Sequence, residues 1–237
     1  MTAPGEDGAP EHVGVLVPWA NMAVEAELHH VTGPHVAWHY ARLVPSSRTT
    51  GLDDQFLTGL LGAVPDALGQ LAALPLSRTY LACTSAAFMY PELTGRAGAS
   101  TPVGHPRLVT AFDALTSVLS GLSAGSVVLL TPYPPDVTEA EAAMFADGGI
   151  AVTARACLGL DDGYGLVTHG QITALIHSID RVSIEKADAV VLSCTGWATL
   201  GLIPELRRLL GKPVISSNTA IGLHALRREP DARCPGR

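Results

Sequence analysis

The chain repeats itself, and the repeat restricts its fold more than any other feature. Residues 15–28 (VLVPWANMAVEAEL) align with residues 129–142 (LLTPYPPDVTEAEA) at an offset of 114, with Leu, Pro, Glu, Ala and Glu identical. Ala41-Arg42 aligns with Ala154-Arg155, and residues 80–84 (YLACT) align with 191–195 (VLSCT) at an offset of 111. Pro102-Val103 and Ala114-Leu115 align with Pro213-Val214 and Ala225-Leu226 at that same offset. Matches in one order at nearly one offset imply two similar units of about 110 residues within the 237.

Each unit reads as alternating strands and helices. The first has strands at Val13–Val17 and Val36–Leu43, a helix from about Met22 to His30, and a helix from Phe56 to Leu74 that Pro65 should split. Its next strand runs into Cys83, followed by a weak strand at Thr101–Gly104 and a helix from Arg107 to Leu122. The second unit has strands at Ser126–Thr131 and Ile150–Cys157. Its first helix opens on Asp136-Val137-Thr138-Glu139, which has capping-box spacing, and another helix covers His169–Ile184. A strand into Cys194, a helix from about Ile203, a strand at Pro213–Ser216 and a helix over Asn218–Arg228 complete it. Such alternation implies parallel sheets with right-handed crossovers. The expected fold class is α/β: two similar Rossmann-like units with parallel sheets, related by a pseudo-twofold axis, with the active site in the cleft between them. The expected boundaries are a disordered tail at 1–11, a first unit at 12–108 completed by the C-terminal helix at about 216–230, and a second unit at 109–215.

Ligands of parallel sheets bind beyond the carboxyl ends of the strands. Two such ends deliver Cys-Thr, at Cys83-Thr84-Ser85 and at Cys194-Thr195-Gly196. About the pseudo-twofold axis these thiols approach one cleft from opposite sides. Helix N-termini and hydrogen bonds lower a thiol's pKa from about 8.5, and both cysteines are expected to stand just before such termini. Thr84, Ser85, Thr195 and nearby backbone N–H groups would serve a substrate carboxylate and the enediolate made from it. One thiolate and one thiol suit proton transfer on opposite faces of a carbon beside a carboxylate. They also suit thiolate addition to an alkene, rotation and elimination.

The remaining chemistry is narrowed by what is missing. Net charge is −7 with no basic stripe, which argues against nucleic acid. No apolar run reaches the ~18 residues of a membrane span, and no signal peptide is legible at the start. The nine histidines show no metal-ligand spacing, and neither a dinucleotide fingerprint nor a P-loop occurs, so no metal and no cofactor is expected. No C-x-x-C joins the four cysteines; Cys157 and Cys234 read as incidental. A cytoplasmic protein with reduced thiols is expected, and a mean hydropathy of +0.28 suggests a homo-oligomer. Glu25, Glu27, Glu139 and Glu141 read as solvated or structural acids near helix starts. Asn21 reads as a helix cap that also faces the cleft, Asn218 as a cap behind it, and Trp19 and Trp197 as its flanks.

Val-Pro-Trp-Ala-Asn with Glu25, Ala-Cys-Thr-Ser at Cys83, Thr-Pro-Tyr at Tyr133, Ser-Cys-Thr at Cys194, and Val-Ile-Ser-Ser-Asn with His224-Ala225-Leu226 carry a resemblance. Over roughly residues 12–228 the chain resembles the maleate cis-trans isomerase and arylmalonate decarboxylase branch of the aspartate/glutamate racemase superfamily. The resemblance implies that Cys83 is the nucleophile and Cys194 the acid/base partner. It also implies that Asn21, Thr84, Ser85, Tyr133 and Thr195, with Gly196 beside them, hold the carboxylates of a small carboxylic-acid substrate. Decarboxylases of this branch keep only the second cysteine, so two thiols lean towards isomerisation, with maleate-to-fumarate conversion the first expectation. A racemase or decarboxylase of a 2-substituted acid is the alternative, and a non-catalytic bilobed binding protein the competitor. Where maleate isomerases have an asparagine, this chain has Asp161-Asp162-Gly163-Tyr164.

Overall fold

The computed structural model describes residues 9–46, 51–89 and 108–227. It has two four-stranded parallel sheets. The first contains β1 (Glu11–Pro18), β2 (Val36–Leu43), β3 (Arg78–Leu81) and β4 (Leu108–Thr110), in the order β2-β1-β3-β4. The second contains β5 (Ser126–Thr131), β6 (Ala151–Cys157), β7 (Ala189–Leu192) and β8 (Val214–Ser216), in the order β6-β5-β7-β8. The two orders are the same, strand for strand, so the sequence repeat is a repeat of topology. Even an ion pair is duplicated: Glu25 meets Arg42, and Glu139 meets Arg155 at the aligned positions.

The helices are α1 (Ala23–Thr32), α2 (Asp54–Gly62), α3 (Val64–Leu71), α4 (Thr84–Met89), α5 (Ala111–Gly121), α6 (Pro135–Asp147), α7 (His169–His177), α8 (Arg181–Lys186), α9 (Ile203–Leu210) and α10 (Ser217–Ala225). They cover sheets whose central strands are buried on both faces, hence the continuous apolar runs Val127–Leu130 and Ala189–Leu192. At Gly14 a Cβ would lie 2.8 Å from Leu76 and Thr79 side-chain atoms, so any larger residue there would have to displace them. The last helix returns to the first sheet. Ile221 and Ala225 of α10 pack with Val13, Val15, Val24 and Leu28, and the helix lies against α1 and α5.

Several local expectations change. Leu108–Thr110 is a strand paired with β3, and Thr110 caps α5 in a capping box with Asp113; two β-branched residues ending on a good cap favour strand, then helix start. The Asp136/Glu139 capping box does not form, because α6 starts at Pro135 behind Pro134, with φ pre-set by proline. The helix expected over His169–Ile184 breaks in two, since Asp180 accepts from the Ser183 N–H and starts α8 anew. The split at Pro65 does occur, α3 carrying it in its first turn. Glu11, placed in the tail, opens β1. The strand at Thr101–Gly104, most of the tail and Cys234 lie outside the described residues.

Candidate active site

The ends of β1, β3, β5 and β7, the central strands of both sheets, converge on one cavity of about 260 Å³. Each sheet changes direction of winding at those strands, which is where parallel sheets leave a crevice. From the first sheet come Pro18, Asn21 and Cys83-Thr84-Ser85; from the second come Tyr133 and Cys194-Thr195-Gly196. All eight residues singled out in the sequence therefore line one space. The rest of the wall is Ala20, Met22, Leu52, Phe56 and residues 162–166. Among the described residues no Lys, Arg or His lines it, and no group of three or more His, Cys, Asp and Glu could hold a metal. Among the described residues no helix is long and apolar enough to cross a membrane.

Asn21 does two jobs. Its Oδ1 accepts from the N–H groups of Ala23 and Val24, capping α1, and its Nδ2 donates to Thr195 Oγ1 at 3.3 Å. Thr195 Oγ1 in turn donates to the Ala82 carbonyl at 2.8 Å, so the two halves are stitched together directly beneath the thiols. The Thr84 hydroxyl donates to Ser217 Oγ. Both threonine protons are thus engaged, and the Ser85 hydroxyl, 3.5 Å from Cys83 Sγ, is the adaptable donor. The space at Gly196 is tight. A Cβ there would sit 3.2 Å from Tyr164 Cβ and 3.3 Å from Cys194 Sγ.

The thiols differ from expectation. Only Cys83 precedes a helix directly; after Cys194 the chain runs through turns to Ile203 before α9 begins. Burial pushes the Cys83 thiol up, against the Ser85 hydroxyl and the N–H groups of Ala86 and Ser85 that favour its thiolate. Burial pushes the Cys194 thiol up to about 12, despite donors from Tyr133 and the Gly196 N–H at 3.2 Å. Desolvation outweighs these hydrogen bonds. Charge on Cys83 raises Cys194 further. Ionisation of one thiol therefore opposes ionisation of the other.

Other residues sit elsewhere than expected. Trp197 is fully buried in the second core and Trp19 does not line the cavity. The apolar wall belongs instead to Met22, Leu52, Phe56, Tyr164 and Leu166. Asn218 lies behind the site but is no cap; Ser216 caps α10. Of the two roles expected for the acids near helix starts, solvated or structural, burial leaves Glu27 and Glu141 the structural one. Glu27 accepts from the Thr199 and Leu200 N–H groups, both at 2.6 Å, and from Asn218 Nδ2 at 2.8 Å. Asn218 Nδ2 also donates to the Thr195 carbonyl. The signal for this was present: Glu25 and Glu27 are two residues apart on a helix, about 200° around its axis, so both cannot face solvent.

The model of the family described as arylmalonate decarboxylase matches residues 85–237. The chain belongs to that family. Its match begins two residues after Cys83, so membership rests on Cys194 and the second half, not on the first thiol. A curated arylmalonate decarboxylase of Bordetella bronchiseptica is 36% identical over 110 residues, 44% of this chain and 45% of that protein. The aligned stretch thus spans under half of that relative. Among solved structures, a mutant of Nocardia farcinica maleate cis-trans isomerase with a covalently bound succinylcysteine intermediate superposes with a TM-score of 0.77 at 22% identity. It covers 91% of this chain and 92% of that one. A glycine-to-cysteine mutant of arylmalonate decarboxylase in a sulfate-associated form superposes with a TM-score of 0.69 at 25% identity, covering 96% and 97%. The fold and the superfamily branch read from the residues are those found.

Proposed function

We propose that the protein is a cofactor-independent isomerase that moves a proton at the carbon beside a carboxylate, with Cys83 and Cys194 on opposite faces of that carbon. One observation carries the reading: two equivalent strand ends each place a thiol in the same cavity. Cys83, as thiolate, removes the Cα proton, and the electron pair enters the carboxylate to give an enediolate. Donors at Ser85 and Tyr133 hold its oxygens. Cys194, kept as a thiol by burial, returns a proton to the other face. Substrate entry displaces water and leaves the donors in a low-dielectric space, where they act more strongly.

The wall favours a 2-substituted acid with an apolar substituent over maleate. Met22, Leu52, Phe56, Tyr164 and Leu166 offer contact area to such a group. Alkene isomerisation through a thioether is the second reading, and it draws on the three donors at Cys83 that suit a nucleophilic thiolate. Proton NMR in deuterated, reducing buffer separates them. Single enantiomers of 2-aryl- and 2-alkyl-propionates, maleate and an arylmalonate are offered in turn. Deuterium at Cα with loss of optical purity is the expected result. Fumarate from maleate alone replaces it with the second reading, and carbon dioxide release without racemisation overturns both.

A further inference from the structure

Behind the second thiol lies a carboxyl group that the reaction above does not use. Glu141 on α6, six residues after Pro135 at the start of that helix, is wholly buried. The hydroxyl of Ser193, the residue before Cys194, donates to its Oε1, and Oε2 has no hydrogen-bond partner among the described residues. Its counterpart in the repeat, Glu27, receives three donors. Equal positions therefore hold unequal chemistry. A buried carboxylate whose one partner is a hydroxyl is poorly supported as an anion.

Among the described residues, none of the groups around Glu141 supplies a counter-charge. Tyr133 and Cys194 are the titratable groups that face Glu141 from the ends of β5 and β7. α4, packed against α6, carries no titratable side chain. On β6, which also packs against α6, Arg155 is engaged by Glu139 at the half-exposed surface and Cys157 is only half-buried. On α6 itself the other acids are Asp136, Glu139 and Asp147.

We propose that Glu141 is a positioning residue for the second thiol: neutral, it anchors Ser193 and leaves Cys194 able to exchange its proton, and ionised, it sets a negative charge behind Cys194 that keeps the proton there. The inference rests on the two-thiol reading, but its test reads Cys194 itself and needs no substrate. Burial holds the Glu141 carboxyl up at about 8, against the Ser193 hydrogen bond. Its charge in turn raises Cys194. The protein therefore carries a brake that engages on the alkaline side, where a free thiol would become steadily more reactive.

The probe is iodoacetamide, with the alkylation rate of the Cys194 peptide followed by mass spectrometry across the alkaline range and Cys83 as internal reference. In the wild type the Cys194 rate rises with pH and then flattens above about 8. Glu141→Gln keeps a neutral group of the same shape, so the flattening disappears and the rate above it exceeds wild type by about tenfold, the effect of a one-unit change in thiol pKa. Ser193→Ala removes a donor that favours the ionised carboxyl, so the break moves to higher pH. Cys194 profiles that coincide within about twofold in wild type and Glu141→Gln overturn the proposal. So does a break that stays in place in Ser193→Ala, or one that changes equally at Cys83. If Cys194 behaves as stated but no acid is turned over, the isomerase reading fails and this inference stands.

Discussion

Glu27 offers a quantitative test of how the two halves are held together at the cleft. It stands on α1, yet it accepts from the N–H groups of Thr199 and Leu200, beyond Cys194, and from Asn218 at the start of α10. Glu27→Ala leaves all three donors without their acceptor. Thr199 and Asn218 are fully buried, while Leu200 is only half-buried and water can serve it. Two orphaned buried donors at about 1–3 kcal/mol each give a loss of about 2–6 kcal/mol. Water entering the vacated space, and the desolvation of a carboxylate no longer required, pull the expectation down to about 2–4 kcal/mol. Glu27→Gln is milder. One amide oxygen still accepts from Thr199 and Leu200, and its NH₂ meets the NH₂ of Asn218. That conflict is relieved by a flip of Asn218, whose Oδ1 has no partner among the described residues, at the expense of its bond to the Thr195 carbonyl. One hydrogen bond lost predicts about 1 kcal/mol. Urea unfolding followed by tryptophan fluorescence gives both numbers. A Glu27→Ala protein within about 0.5 kcal/mol of wild type would refute the reasoning.

Three further outcomes follow from the same structure. Gly196→Ala puts a methyl group against Tyr164 and the Cys194 sulfur, so turnover should fall at least about tenfold while the melting temperature moves little; unchanged kcat would show that the loop yields freely. Asp162→Asn removes the negative charge at the wall, and inhibition by a dicarboxylate such as maleate should strengthen by a few-fold at low salt; no change would mean that Asp162 does not act on the bound anion. Because the folded protein raises the Glu141 carboxyl from its ordinary 4.5 to about 8, the stability linked to that proton is complete below pH 4.5 and is lost as pH rises to about 8. Each pH unit in that window is about 1.4 kcal/mol, or about 5 kcal/mol in all. Chemical denaturation at successive pH values should show this slope in the wild type and its absence in Glu141→Gln.

The sequence made the cleft legible because the cleft is built from strand ends. Val-Leu-Ser-Cys-Thr and Tyr-Leu-Ala-Cys-Thr are buried strands that stop, and whatever follows a stopped parallel strand lies at the crevice. The local order along the chain therefore told where Asn21, Cys83, Tyr133 and Cys194 would meet. What it did not tell is set by burial across elements. Cys194 has its pKa governed by desolvation that no local pattern displays, so a thiol expected to be acidic is the reverse. Trp197 looked like a pocket residue by its distance from Cys194 along the chain, but the turn after Cys194 points it into the second core. Glu27 and Glu141 share a position in the repeat and a sequence context, and only tertiary packing gives one three donors and the other a single hydroxyl. Helix breaks at residue 63 and near Asp180 were unequally visible: proline marks the first, while the second depends on a side-chain cap competing with helix continuation.

The most direct test of the thiol pair is exchange at Cα in deuterated buffer with one enantiomer of an accepted 2-substituted acid, comparing wild type with Cys83→Ser and Cys194→Ser. The account predicts deuterated racemic product from the wild type. Each variant should lose racemisation, because each removes the proton carrier from one face. Racemisation at the wild-type rate in either variant would contradict the assignment of Cys83 and Cys194 to opposite faces of the substrate.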